Sequence, residues 1–421
     1  MDILIKNTIL SKNGRTDNKS AIDILIKEGI ITNIAPSIDD QADFEILDAQ
    51  GAFVSPGWVE IFSDFADPGM EYREILKTGA AAAFSGGFTR VFLVPNTNPV
   101  VDNKSQVSYL VEKSKSLPVQ ILPIGAISKG ASGNELAEMY DMNDSGAIAF
   151  SDGKYPVQSP GLFLKALQYV KTCDSVLIQQ PFDKTIGTHG LINEGIVSTR
   201  LGLPGLPAIA EELMIQRDIE LVRYTESKVH FTGISAAKSV ALIKAAKAEG
   251  LNVTCSVTPQ HLLFTDEDLV TYDVNLKINP PLRTPIDRDA LRAGVLDGTI
   301  DIIATHHFPQ HFDDKVKEFE YAKNGMIGLQ TTYSALMEAL PSLTADRIQD
   351  LLSDNAVRIF GLEVLEITIG QKANLTLFDP NKSSTFTKEG NKSKAQNSPY
   401  FDRKFKGAVI ATIAHNQIHK N

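Results

Sequence analysis

A chain of 421 residues that is 43% hydrophobic, with a formal net charge of −10, can bury one large core plus an accessory module. It has no run of five or more like charges, which argues against an electrostatic nucleic-acid binder and points to small-molecule or protein partners. The opening MDILIKNTIL lacks the basic start and apolar run of a secretory leader, and no stretch of 18 apolar residues occurs. The expectation is therefore a cytoplasmic protein with no membrane and no nucleic-acid partner. Two cysteines, Cys173 and Cys255, are too few and too far apart for a disulfide framework or a Cys-based zinc site, and read as small core residues.

Residues 1 to about 55 read as short strands: ILIKN, AIDILIKEG, IITNIA and EILDAQG alternate or run apolar between Gly, Asn and Asp punctuation. From about 56 to 355 apolar strands alternate with longer helical stretches. VFLVPN precedes SQVSYLVEKSKSL, AIAFSD precedes SPGLFLKALQYVKT, and SVLIQQ precedes AIAEELMIQRDIELVRYT. The pattern continues through KVHFTGIS, LNVTCSVT and TIDIIATHH to give eight strands. Repeated β-then-α units predict an α/β fold, a TIM-like (β/α)8 barrel with its chemistry where strands end; a doubly wound sheet is the alternative. After about 362 strand patterning returns in ITIGQKANLTLFDP and KGAVIATIAHNQIHK. The predicted organisation is a composite β-sandwich from 1–55 plus 356–421 beside a barrel over 56–355.

Ordered phrases along the chain carry a family resemblance. PGWVEIFSDFADPGMEYRE, GGFTRVFLVPNTNP, LGLPGLPAIAEE, HFTGISAAKSV, VTPQHLLFTDED, NLKINPPLRTPIDRDAL, DGTIDIIATHH, GMIGLQT and SKAQNSPY span essentially the whole chain. In that order they resemble the long bacterial type of dihydroorotase, an amidohydrolase that interconverts carbamoyl aspartate and dihydroorotate. The resemblance implies a metal-dependent barrel flanked by a composite β domain, and a homodimer.

Hydrolysis of a cyclic amide needs a hydroxide, a polarised carbonyl and a proton shuttle; zinc supplies the first two by lowering the pKa of bound water to about 7. The resemblance implies an opening His-x-His at a strand end, where side chains two apart point the same way. Here that segment is Phe62-Ser63-Asp64. Phe62 cannot bind metal and Asp64 alone is a weak remnant. The histidine expected after the fifth strand is Gln179, and the second half of a His-x-x-His phrase is Gly233. His230 survives, at the place of the first, non-liganding histidine, and reads as a structural hydrogen-bonding residue. The Ser-Asp-Asp-Gly phrase is Ser151-Asp152-Gly153, one carboxylate short. The general-base aspartate of strand eight is His306.

Substrate recognition is eroded in the same comparison. The arginine expected after His-x-His, whose planar fork suits a carboxylate, is Ala66. Asn96, Arg283 and His261 are retained as substrate-binding remnants, Arg283 reading more as a loop anchor than a ligand contact. The expectation is a non-catalytic dihydroorotase homologue with no cofactor, zinc entering only if the degenerate site still binds, and the resemblance implies aspartate transcarbamoylase as its structural partner. The alternatives are a weakly active cyclic amidohydrolase using Asp64, Asp152 and His306 around an atypical metal, and a dihydropyrimidinase-like scaffold protein; the NPPLR and SKAQNSPY phrases favour dihydroorotases over the latter.

Overall fold

The computed structural model describes residues 1–12, 20–40 and 43–421. Five strands open the chain: β1 (Ile3–Leu10), β2 (Ile22–Lys27), β3 (Ile30–Ala35), β4 (Glu45–Asp48) and β5 (Phe53–Pro56). β2 and β3 form an antiparallel hairpin whose two loop residues, Glu28 and Gly29, both have positive φ, 53° and 77°. Two left-handed residues give the turn that matches strand twist, and glycine takes the second without a Cβ penalty.

The barrel strands follow as β6 (Trp58–Ser63), β7 (Phe88–Leu93), β8 (Gln120–Gly125), β9 (Ala149–Phe150) and β10 (Leu177–Gln179). A small parallel pair, β11 (Ile192–Asn193) and β12 (Gly205–Leu206), interrupts them before β13 (Val229–Phe231), β14 (Val253–Val257) and β15 (Ile302–Ile303). The eight barrel strands are parallel and lie side by side in chain order. A doubly wound sheet requires the order to reverse at a switch point, and no reversal occurs. The sheet curls until its ends meet: the Asp64 amide donates to the His307 carbonyl at 3.0 Å, and the Thr305 amide donates to the Glu60 carboxylate at 2.8 Å.

Side chains alternate across each strand. Val91 and Leu93 of β7 join the layer under the helices, whereas Val59, Ile61, Phe92, Ile124, Ile178 and Ile302 fill the interior. The helix Asn355–Phe360, in which the expected boundary at 356 falls, closes the barrel floor with Phe360, whose ring is 5.0 Å from that of Phe92.

The chain ends in β16 (Leu375–Thr385), β17 (Lys404–Ala414) and β18 (Gln417–Lys420). β16 pairs antiparallel with β5, so the two termini share one sheet in the order β18-β17-β16-β5-β1-β2-β3, with β4 beside β1. Ile3, Ile24, Val54, Leu375, Leu377 and Ile413 meet in a single apolar core. This β unit beside the barrel is the predicted pairing of the chain ends.

Candidate functional site at the barrel mouth

The strand ends bring Phe62, Asp64, Lys154, Gly233 and His306 to the barrel mouth. Asp64 follows β6 and is 1% exposed; its Oδ2 accepts from Lys154 Nζ at 2.6 Å and Arg73 Nη2 at 3.1 Å, and its Oδ1 accepts from the Ala66 amide at 2.8 Å. Burial would raise its pKa, but the two cations and the amide together hold it below the usual carboxylate value. Ala66 keeps a left-handed φ of 57° and is buried, so the place where an arginine was sought holds a methyl group.

His306 follows β15. Thr232 Oγ1 accepts from Ser256 Oγ at 2.9 Å and pairs with His306 Nε2 at 2.8 Å. His306 Nδ1 has no hydrogen-bond partner among the described residues. One face of the ring meets Phe62, with centroids 4.8 Å apart, and Phe308 stands 5.6 Å away. Burial pushes the His306 pKa down to about 3. A base whose protonated form is so disfavoured accepts a proton poorly. Gly233 (φ 65°) lies against this ring, and a Cβ built there would sit 2.5 Å from His306 Cε1. A longer side chain at 233 and the observed His306 position are mutually exclusive.

The other sequence-derived positions are spent on internal contacts. The Asp152 carboxylate accepts from the Ser128 amide at 2.8 Å and from the Ser128 hydroxyl; burial lifts its pKa to about 6. Gln179 accepts from the Val157 amide at 3.3 Å and donates to Asp218 at 3.2 Å. Asn96 donates to the Asp152 carbonyl at 3.0 Å and accepts from the Lys154 amide at 2.8 Å, so it shapes the loop that carries Lys154. His261 engages Thr258 Oγ1 at 2.7 Å and the Pro280 carbonyl at 3.0 Å. Arg283 donates to Ser235, Asn193 and the Leu206 carbonyl, tying the NPPLR loop to β11 and β12. His230 sits away from the mouth, its Nδ1 paired with Thr254 Oγ1 at 2.9 Å and its ring 5.5 Å from Phe360 at the floor.

Sequence reasoning missed Lys154, Arg73 and Glu60. Glu60 is fully buried and accepts the Phe62 and Thr305 amides, both at 2.8 Å, fixing the two strand ends that carry Phe62 and His306; burial nevertheless lifts its pKa to about 7. The signal for Lys154 was its place directly after Ser-Asp-Gly, and for Arg73 its place in EYRE, but nothing local says that both reach Asp64.

The comparisons with known proteins agree along the whole chain. The Dihydro-orotase-like family profile matches residues 51–239. A dihydroorotase from Caldanaerobacter subterraneus subsp. tengcongensis is 40% identical over 422 residues, covering 99% of this chain and 97% of its own. The chain belongs to the dihydroorotase family. A second relative, the dihydroorotase of Pelotomaculum thermopropionicum, is 40% identical over 423 residues, covering 99% of this chain and 98% of its own. Among solved structures, the L-hydantoinase (dihydropyrimidinase) of Arthrobacter aurescens superposes with a TM-score of 0.85 at 22% identity, covering 99% of this chain and 95% of its own. The dihydropyrimidinase of Brevibacillus agri NCHU1002 gives 0.81 at 19%, covering 99% and 95%. At that identity the two structures establish the fold alone, a barrel beside a β unit.

In this dihydroorotase homologue the mouth does not fit the zinc ion that the resemblance implies. Asp64 is occupied by two cations, Asp152 by Ser128, and Phe62 and Gly233 offer no donor atom. Among the described residues no group of three or more His, Cys, Asp or Glu side chains is placed to hold a metal. What remains is a cavity of about 200 Å3 lined by Lys154, Tyr155, Gln180, His261, His306 and Phe308.

Proposed function

We propose that this chain serves pyrimidine synthesis as a non-catalytic dihydroorotase homologue, a structural partner of aspartate transcarbamoylase. The observation that carries the loss of catalysis is the Lys154–Asp64–Arg73 triad: the carboxylate at a ligand position is neutralised by side-chain cations. With Asp64 shared between an ammonium and a guanidinium, a divalent cation would meet two fixed positive charges before reaching its first ligand. His306 is packed against Phe62 and its pKa is pushed down to about 3, which makes it a poor proton acceptor. The competing reading, an altered hydrolase using Asp64, Asp152 and His306, needs three groups that already hold hydrogen bonds within the protein.

The partner and the homodimer rest on the family resemblance, and the cytoplasmic setting on a sequence with no stretch of 18 apolar residues; no helix among the described residues is long and apolar enough to cross a membrane. Elemental analysis of untagged protein together with a dihydroorotate hydrolysis assay tests the catalytic part. The expected result is no stoichiometric zinc and no turnover above background, and stoichiometric zinc with turnover overturns it. Co-expression with the aspartate transcarbamoylase catalytic chain of the same organism tests the partner. The two are expected to co-purify, and separate elution removes that part of the reading.

A further inference from the structure

A groove of about 590 Å3 runs between the segment that follows β15 and the SKAQNSPY segment, and it shares no lining residue with the mouth cavity. Its walls combine two features. The first is exposed apolar surface: Phe312, Val316 and Tyr72 line the groove and are 70%, 61% and 51% exposed. The Val316 amide donates to the Phe312 carbonyl at 2.9 Å, so these two lie one turn apart, and the Tyr72 ring stands 5.9 Å from that of His311 beside them. Large apolar side chains left wet together and rimmed by polar groups mark an interaction surface.

The second feature is charge. Arg73, Lys315, Lys388 and Lys394 line the groove and no Asp or Glu does, in a chain whose formal net charge is −10. Two of the four are engaged internally: Arg73 pairs with Asp64, and Lys315 Nζ donates to the Lys323 and Gly325 carbonyls. The exposed pair remains. Lys388 has no partner among the described residues, and Lys394 Nζ meets one neutral acceptor, the Glu71 carbonyl, at 2.7 Å. The carboxylates around the groove serve other groups. Glu71 accepts the Gly69 amide at 2.9 Å and its charge is answered by Lys113 as well as Lys394; Asp273 accepts the Asn275 amide at 2.9 Å. Asp313 faces His311 Nδ1 at 3.4 Å, and Asp314 pairs with Lys323 at 3.1 Å. Glu389, next to Lys388 in the chain, is exposed and outside the lining. The backbone that carries Lys394 is pinned: its amide donates to Glu74 Oε1 at 3.2 Å, and the Asn397 side chain accepts from the Gln310 amide and donates to the Phe308 carbonyl, both at 3.0 Å. The cationic wall is thereby fixed against the apolar one.

These features select the occupant. Two copies of the chain meeting across a twofold axis through this face would set cationic groove against cationic groove. A small phosphate would satisfy the lysines and leave Phe312 and Val316 in water. We propose that the groove docks an acidic peptide segment of a partner protein, with its carboxylates on Lys388 and Lys394 and an apolar side chain against Phe312 and Val316. The groove is separate from the mouth cavity, so the proposal stands whether or not the chain is catalytic. Anisotropy titrations of the full chain with the fluorescein-labelled peptide EDELFEDE test it, against QNQLFQNQ, in which every side-chain carboxylate is an amide, and EDESSEDE, in which the Leu-Phe pair is gone. The first is expected to bind saturably at one site and more weakly as salt rises, with each comparison peptide weaker by at least about tenfold. Lys388→Glu/Lys394→Glu and, separately, Phe312→Ser are each expected to weaken it by at least about tenfold with unchanged thermal unfolding, because all three side chains are exposed. The equal charge change Lys165→Glu/Lys244→Glu, on the outer helices Pro160–Val170 and Ala237–Ala248, is expected to leave binding unchanged. The comparison of the three peptides in the unaltered chain decides the question even where a variant does not fold. Absent or non-saturable binding of EDELFEDE, equal binding of either comparison peptide, undiminished affinity in either folded groove variant, or equal weakening by the outer-helix pair overturns the proposal. So does tripolyphosphate displacing the labelled peptide at lower concentration than unlabelled EDELFEDE, which makes the groove a phosphate site, or a sedimenting dimer that Lys388→Glu/Lys394→Glu dissociates, which makes the occupant a second copy.

Discussion

Replacing Gly233 by alanine gives a direct measure of how firmly His306 occupies the barrel mouth. The new Cβ would arrive 2.5 Å from His306 Cε1 at a residue whose φ is 65°. The left-handed backbone alone costs a Cβ-bearing residue roughly 1 kcal/mol. Restoring an ordinary contact moves the imidazole by roughly 1 Å, which strains its bond to Thr232, worth about 1 kcal/mol, and forces it against the tightly packed Phe62. The expected loss is about 3 kcal/mol in urea-induced unfolding. In the double variant Gly233→Ala/His306→Ala the clash is gone, and the alanine at 233 adds only its backbone cost to the loss from His306→Ala. The combined loss should then fall short of the sum of the two single losses by at least about 1 kcal/mol. A Gly233→Ala loss below about 1 kcal/mol, or additive single losses, would refute the reasoning that His306 excludes any side chain at 233.

Glu60→Gln should destabilise by about 1–3 kcal/mol, because both carboxylate oxygens accept backbone amides and an amide nitrogen would face one of those donors; unfolding at equal stability would discount this seam. Lys154→Met should cost about 1–2 kcal/mol at pH 7, a figure discounted because Lys154 is 26% exposed and Arg73 still pairs with Asp64. The Asp64 pKa is lowered by folding, so this contribution is present above its ordinary value of 3.8 and is lost as pH falls through the folded value; denaturation of both proteins from pH 7 to pH 3 should show the gap closing. The His306 and His230 pKa values are lowered from 6.5 to about 3, so their contribution to stability is present above 6.5 and declines as pH falls toward 3. Imidazole NMR should accordingly show neither ring titrating between pH 8 and pH 5, and a midpoint near 6 for His306 would contradict its burial.

Periodicity sufficed for the repeated β-then-α units and the β unit because each barrel strand is a short apolar run between turn signals, and the terminal strands alternate or run apolar between turns. Such patterns report burial, and burial is what a fold conserves. The choice between barrel and doubly wound sheet was not in the pattern. It was decided by lateral strand order and by the seam between β6 and the end of β15, contacts more than 240 residues apart in the chain.

At the site, the sequence by itself determined which side-chain donor atoms are missing, since the side chains at Phe62 and Gly233 offer none in any conformation. Only the tertiary structure decided what the survivors do. Asp64 is neutralised by Lys154, 90 residues away, as well as by Arg73, and Asn96 holds the Lys154 loop. Composition and spacing cannot predict these pairings, because the strength of a charge–charge contact depends on separation in space and on exclusion of water, and both are set when the strands close into a barrel.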